Sequence, residues 1–120
     1  MLRPFEQEIV REIRVRPERP GAGGRSVPRK GLWIRGHLQD VGRDYVYGMY
    51  RRWRFFLEDA GLNINAGTYQ AFRTYIYVLK ELGLVQRAGV TPSRGFPKSY
   101  YALNPDRIAS PLWENPFKHL

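Results

Sequence analysis

Between Asn65 and Leu103 the apolar residues change period, and that change limits the folds open to this chain. Phe72, Ile76, Leu79 and Leu82 recur at helical spacing, with Tyr75 beside them, which predicts a helix over about residues 66–82. Asn65 stands where an N-cap would, and Gly83 stops the pattern. Leu84, Val85 and Gln86 then start a strand. Residues 89–97 (GVTPSRGFP) read as a loop, and Ser99–Leu103 alternate as a return strand closed by Asn104-Pro105. A helix feeding directly into a hairpin places the chain in the mainly helical α+β class.

Three segments precede this unit. Residues 5–15 set Phe5, Ile9, Val10 and Ile13 at helical spacing, with Pro4 suited to the first helical position. Glu6 and Glu8 lie early and Arg11 and Arg14 late, as the helix dipole prefers. Residues 16–31 interrupt any regular element with Pro17, Pro20, Pro28 and glycines at 21, 23, 24 and 31. This basic stretch reads as an arm or linker. Its glycine cluster lacks the Lys-Ser/Thr that would follow in a phosphate loop.

Residues 32–43 set Ile34, His37, Leu38 and Val41 on one helical face, which Gly36 weakens. Residues 44–60 form a stronger helix, with Asp44 as its expected N-cap and Tyr45, Met49, Trp53, Phe56 and Ala60 as its stripe. Val46, Tyr50 and Leu57 widen that stripe, and Arg51, Arg54 and Glu58 share the outer face. Gly61 suits a left-handed end, with Leu62 packing back. Ile108, Leu112, Trp113 and Phe117 are too many large apolar residues for a free tail, so residues 105–120 are expected to pack on the body or on a second copy. The organisation expected is residues 1–31 as helix and arm, 32–104 as the central domain, and 105–120 as the docked tail.

Charge narrows the function. Twenty Lys and Arg against eleven Asp and Glu give a formal charge of +9 over 120 residues. Such a field favours nucleic acid or an anionic surface. The basic residues are mostly Arg, whose planar fork suits phosphates and guanine edges, although a GC-rich genome or a hot habitat biases towards Arg as well. The chain has no Cys, which excludes disulfides, thiolate catalysis and Cys-based zinc sites. No apolar run approaches a membrane span and the start shows no signal-peptide pattern, so a cytoplasmic protein with no membrane partner is expected.

The residues Asn65, Gly67, Thr68 and Tyr69, then Leu79, Leu82 and Gly83-Leu84-Val85, resemble the recognition helix and wing of winged helix-turn-helix DNA-binding domains. The likeness covers roughly residues 32–104 and is sharpest from Asn65 on. The helix is longer than in many members of that family by about one turn. The resemblance implies duplex DNA binding, with the helix in the major groove and the wing (about 87–98) on the backbone. A small transcriptional regulator is the expectation, and many such domains form homodimers.

With Phe72, Ile76 and Leu79 inward, Thr68, Tyr69, Gln70, Arg73, Thr74, Tyr77 and Lys80 point outward. Gln70 suits adenine and Arg73 suits guanine, while Thr68 and Tyr69 suit phosphates. An ordinary solvated face would carry more Glu and Lys. In the wing, Arg87, Arg94 and Lys98 suit phosphate contact. In the arm, Arg25, Arg29 and Lys30 suit a minor groove.

RNA or ribosome binding is the alternative, because charge, arm and tyrosines serve RNA equally well. A protein-interaction module, with the charge incidental, is the second alternative. No catalytic set is evident, and neither enzyme activity nor a cofactor or metal is expected. His37 lies on an apolar face, and Asp40 and Asp44 are accounted for by neighbouring arginines. Tyr45, Tyr47, Tyr50, Trp53 and Phe55 are assigned mostly to the core, since a base-stacking platform would need them open on one side.

Overall fold

The computed structural model describes residues 1–15, 29–62, 65–91 and 97–119, the side chains of Arg14, Val15, Thr91 and His119 excepted. Among them, α1 runs Pro4–Val15, α2 Lys30–Val41, β1 Arg43–Tyr45, α3 Val46–Asp59, α4 Tyr69–Glu81, β2 Val85–Thr91 and β3 Lys98–Leu103. Short 3-10 turns follow at Pro105–Arg107, Pro111–Trp113 and Pro116–His119. The architecture is mainly helical with a small antiparallel sheet ordered β1-β3-β2.

The helix ends follow from local chemistry. At the end of α4, Gly83 takes φ 74° and lets the Leu84 N–H donate back to the Leu79 carbonyl at 2.9 Å. The start of α4 departs from expectation. Asn65 is not the cap: its Oδ1 accepts from the Gly67 N–H in a local turn. Thr68 is the cap, its Oγ1 accepting from the Ala71 N–H at 3.0 Å, and the helix starts at Tyr69.

The sheet holds more than a hairpin. Residues 43–45, expected to close one helix at 43 and open the next at Asp44, pair with β3 in the register Arg43↔Ala102, Asp44↔Tyr101 and Tyr45↔Tyr100. Asp44 therefore does not cap α3, whose N-cap Tyr45 makes no side-chain cap bond. The free edge of β3 offers unpaired backbone groups, and that long-range partner outweighs the local capping preference. β2 runs to Thr91, past the expected loop start at Gly89, through an irregularity between Arg87 and Val90.

The core joins all four helices. Trp33, Ile34 and Leu38 of α2 meet Met49, Trp53 and Phe56 of α3 and Phe72, Ile76 and Leu79 of α4, with Ile9 and Val10 of α1 added. Four residues expected inside lie outside, Phe117 of the tail among them. Val41 closes α2 where Gly42 turns the chain into β1, and its side chain is left exposed. Tyr47 and Phe55 fall off the arc of α3 that carries Met49, Tyr50, Trp53, Phe56 and Leu57, and both are exposed. The tail packs on the body: Trp113 is fully buried, its Nε1 donates to the Arg107 carbonyl at 2.9 Å, and Phe117 meets Tyr75.

α2 starts at Lys30, so Arg29 and Lys30 are not part of a free arm. Arg29 pairs with Glu12 of α1 at 3.3 Å. The Lys30 ammonium sits 5.2 Å above Tyr75 and 5.8 Å from the Phe72 ring, and burial lowers its pKa. An inward lysine of this kind corrects its assignment to an arm in a minor groove. Arg25 lies outside the described residues.

A buried polar chain ties α1 to α2 and β1. The Trp33 Nε1–H donates to Glu6 at 2.9 Å, and Arg3 donates to Glu6, to Asp40 and to His37 Nδ1. With Nδ1 accepting, His37 Nε2 carries the hydrogen and donates to Asp44 at 2.7 Å. His37 is fully buried and satisfied on both nitrogens. Burial pushes the Glu6 carboxyl up, but hydrogen bonds from Arg3 and Trp33 outweigh it and hold the group below its usual 4.5. A depressed folded value means that this stability is present above pH 4.5 and is lost as pH falls through the folded value. Glu6→Gln should therefore be less stable than the parent at neutral pH, and the gap should narrow on acidification. A gap independent of pH in urea melts would remove Glu6 from the acid response.

Candidate nucleic-acid interface

The outer face of α4 is built as its period predicts. With Phe72, Ile76 and Leu79 buried, Tyr69, Gln70, Arg73, Thr74, Tyr77 and Lys80 are all exposed. Thr68 is exposed too, but its hydroxyl oxygen is engaged as the cap. Arg73 Nε donates to the Tyr77 hydroxyl at 2.9 Å, one helical turn on, and its guanidinium lies over the Tyr77 ring. Tyr77 thereby fixes the direction in which Arg73 points. Glu81 is the one carboxylate on the exposed face of this helix, at its last residue.

Beside this face an open groove runs between α4 and β3. It is lined by Tyr69, Arg73 and Tyr77 of α4, by Tyr45 at the end of β1, by Val46 and Tyr47 at the start of α3, and by Pro97, Lys98, Ser99 and Tyr101 of the hairpin. No carboxylate is among these lining residues. The groove cations are oriented by rings: the Lys98 ammonium lies 4.4 Å from the Tyr45 ring centre, and the Arg73 guanidinium 5.3 Å from that of Tyr77. β1 is what makes the groove, because pairing with β3 brings Tyr45 beside the hairpin. Nothing local in the sequence signals that strand.

The structure brings Tyr69, Arg73, Tyr77 and Lys98 to one groove. Gln70, Thr74 and Lys80 remain on the α4 surface outside the groove lining. Arg87 is exposed on β2 and donates to Ser99 Oγ at 2.8 Å, which holds it along the hairpin. Arg94 lies outside the described residues. Arg29 lines a different cleft, with Arg11, Arg35 and Glu114, between α1, α2 and the tail. Sequence reasoning missed Tyr47, because an aromatic next to a helix stripe reads as core. Its offset from Met49, Trp53 and Phe56 was the available signal.

Asp40 and Asp44 are held by Arg3, His37 and Arg52. No group of three or more metal-binding side chains occurs among the described residues. None of the described helices is long and apolar enough to cross a membrane. No family model, curated protein or solved structure matches this chain.

Proposed function

We propose that this protein binds double-stranded DNA as a winged helix-turn-helix domain, with α4 as recognition helix and the β2–β3 hairpin as wing, in the role of a small transcriptional regulator. One observation carries the reading: the exposed face of α4 presents Gln70, Arg73 and Thr74 almost free of carboxylates, with Lys98 across the adjoining groove. The element order supports it. After α1, the order helix, strand, two helices and a hairpin, with the early strand pairing to the last, resembles the layout of such domains. A helix held proud of a small sheet fits a major groove, while the hairpin reaches the neighbouring backbone. The net charge of +9 supplies attraction independent of sequence.

Binding should be strongly salt-dependent. If about six phosphates are neutralised, log K should fall against log salt with a slope of about −5. Fluorescence anisotropy on random duplex DNA, with RNA as competitor, reads this directly. A flat salt response excludes nucleic acid and leaves the protein-interaction module, whereas preferential capture by structured RNA favours the RNA reading. On a selected site, Arg73→Ala should reduce sequence preference by about tenfold to a hundredfold. Arg87→Ala should weaken all sequences alike and lower the slope by about one. Identical behaviour of the two variants would show that neither reads a base.

A further inference from the structure

We propose that the groove between α4 and β3 takes an unpaired nucleobase, so that the preferred ligand is duplex DNA with a single-stranded stretch beside it. The inference rests on the DNA-binding reading above and deepens it. The exposed face of α4 is convex and polar, as a duplex requires. The groove beside it is concave and aromatic, which a duplex does not use, because each paired base has both faces covered by its neighbours.

Tyr47, Tyr77 and Tyr69 remain 49%, 41% and 37% exposed. Three large rings left this open on one groove forgo burial that tyrosines ordinarily obtain. Tyr47 meets Tyr69 edge to face, with ring centres 5.4 Å apart and planes at 77°. Tyr50 also lies against both rings, at 6.5 and 5.7 Å, and the Arg73 guanidinium lies over Tyr77, so what remains for stacking is the exposed part of each ring. Lys98 lines the same groove, its ammonium steered by Tyr45, while its neighbour Arg73 is the residue assigned to the duplex. Open rings for a base, a cation for the flanking phosphate and no lining carboxylate to repel it are the parts of a single-strand site. Such stacking is indifferent to base identity, since every base has a π-face. The duplex part of the ligand would be read by α4, and the unpaired part held without sequence preference.

The test compares the whole protein on two labelled duplexes of about 20 base pairs, one blunt and one with a tail of about four unpaired thymidines. Anisotropy at one salt concentration gives the ratio of the two affinities for each variant. The ratio cancels any loss of folded protein. The wild type should favour the tailed duplex by about tenfold. Tyr47→Ala should bring the ratio close to one, Tyr47→Phe should preserve it, and Tyr77→Ala should lower it as well. Equal affinities in the wild type, or a tail preference that survives both alanine variants, overturn the groove assignment while duplex binding stands. Failure to bind either duplex overturns the groove assignment and the DNA-binding reading together.

Discussion

Trp33→Ala should remove most of the stability of this fold. Trp33 is fully buried at the centre of the helical core. It stacks on His37 at 4.9 Å with planes 6° apart and meets Trp53 edge-on at 5.4 Å. Truncating a buried Trp costs about 3–5 kcal/mol through lost transfer and the cavity left behind. A second effect adds to it. The Trp33 Nε1–H is one of the donors that satisfy the buried Glu6 carboxylate. Removing a partner from a buried polar group costs about 1–3 kcal/mol more. Single domains are stable by only about 5–15 kcal/mol, so the variant should be largely unfolded or melt far below the parent. Trp33→Phe separates the two contributions, keeping most of the ring but not the donor. It should lose far less than the alanine variant, and adding Glu6→Gln to it should cost less than Glu6→Gln alone. Urea melts followed by circular dichroism measure all of these. An alanine variant within about 1 kcal/mol of the parent would mean that the core does not close around Trp33.

Trp113→Ala should be the next most damaging change, although it lies in a tail built of single turns. Trp113 is fully buried, and Pro116 is buried beside it. The tail is pinned where Arg35 donates to the Ile108 carbonyl at 3.2 Å and where Phe117 covers Tyr75. Tyr75 reports on this environment: burial pushes its hydroxyl pKa up to about 12. Loss of the Trp113 ring should cost about 3–5 kcal/mol, and deletion of residues 108–120 at least as much. Gly31→Ala tests the docking from the other side. A Cβ there would press on the Trp113 carbonyl oxygen and stand 3.0 Å from the Tyr75 hydroxyl. Backbone cannot yield as a side-chain end can, so about 1–3 kcal/mol of overpacking is expected. A truncated chain that melts with the parent would show that the tail rides on the body without supporting it.

The exposed face of α4 is stated almost completely by the order of residues 69–80, because a helix of known phase assigns each side chain to one side. Burial of Phe72, Ile76 and Leu79 leaves Gln70, Arg73 and Tyr77 nowhere but outside. The end of that helix was equally legible, since Gly83 supplies the positive φ that closes it. Its start was not. Asn65 and Thr68 are both good caps, and the chain uses Asn65 for a turn and Thr68 for the helix.

The rest of the candidate site depends on contacts far apart in sequence. Whether residues 43–45 form a helix boundary at Asp44 or a strand turns on the free edge of β3, more than fifty residues later. Asp44 looks like a cap in isolation and instead receives the His37 Nε2–H. Lys30 looks like part of a basic arm and instead lies over Tyr75 and Phe72, because α2 begins with it. The sequence by itself determined the helical class and, for α4, the core stripe and the outward face, all of which follow from local periodicity and backbone chemistry. Tertiary structure alone decided the third strand, the buried chain from Trp33 to Asp44 and the tyrosine groove, because each needs side chains or strand edges brought together from elements that carry no local mark of one another.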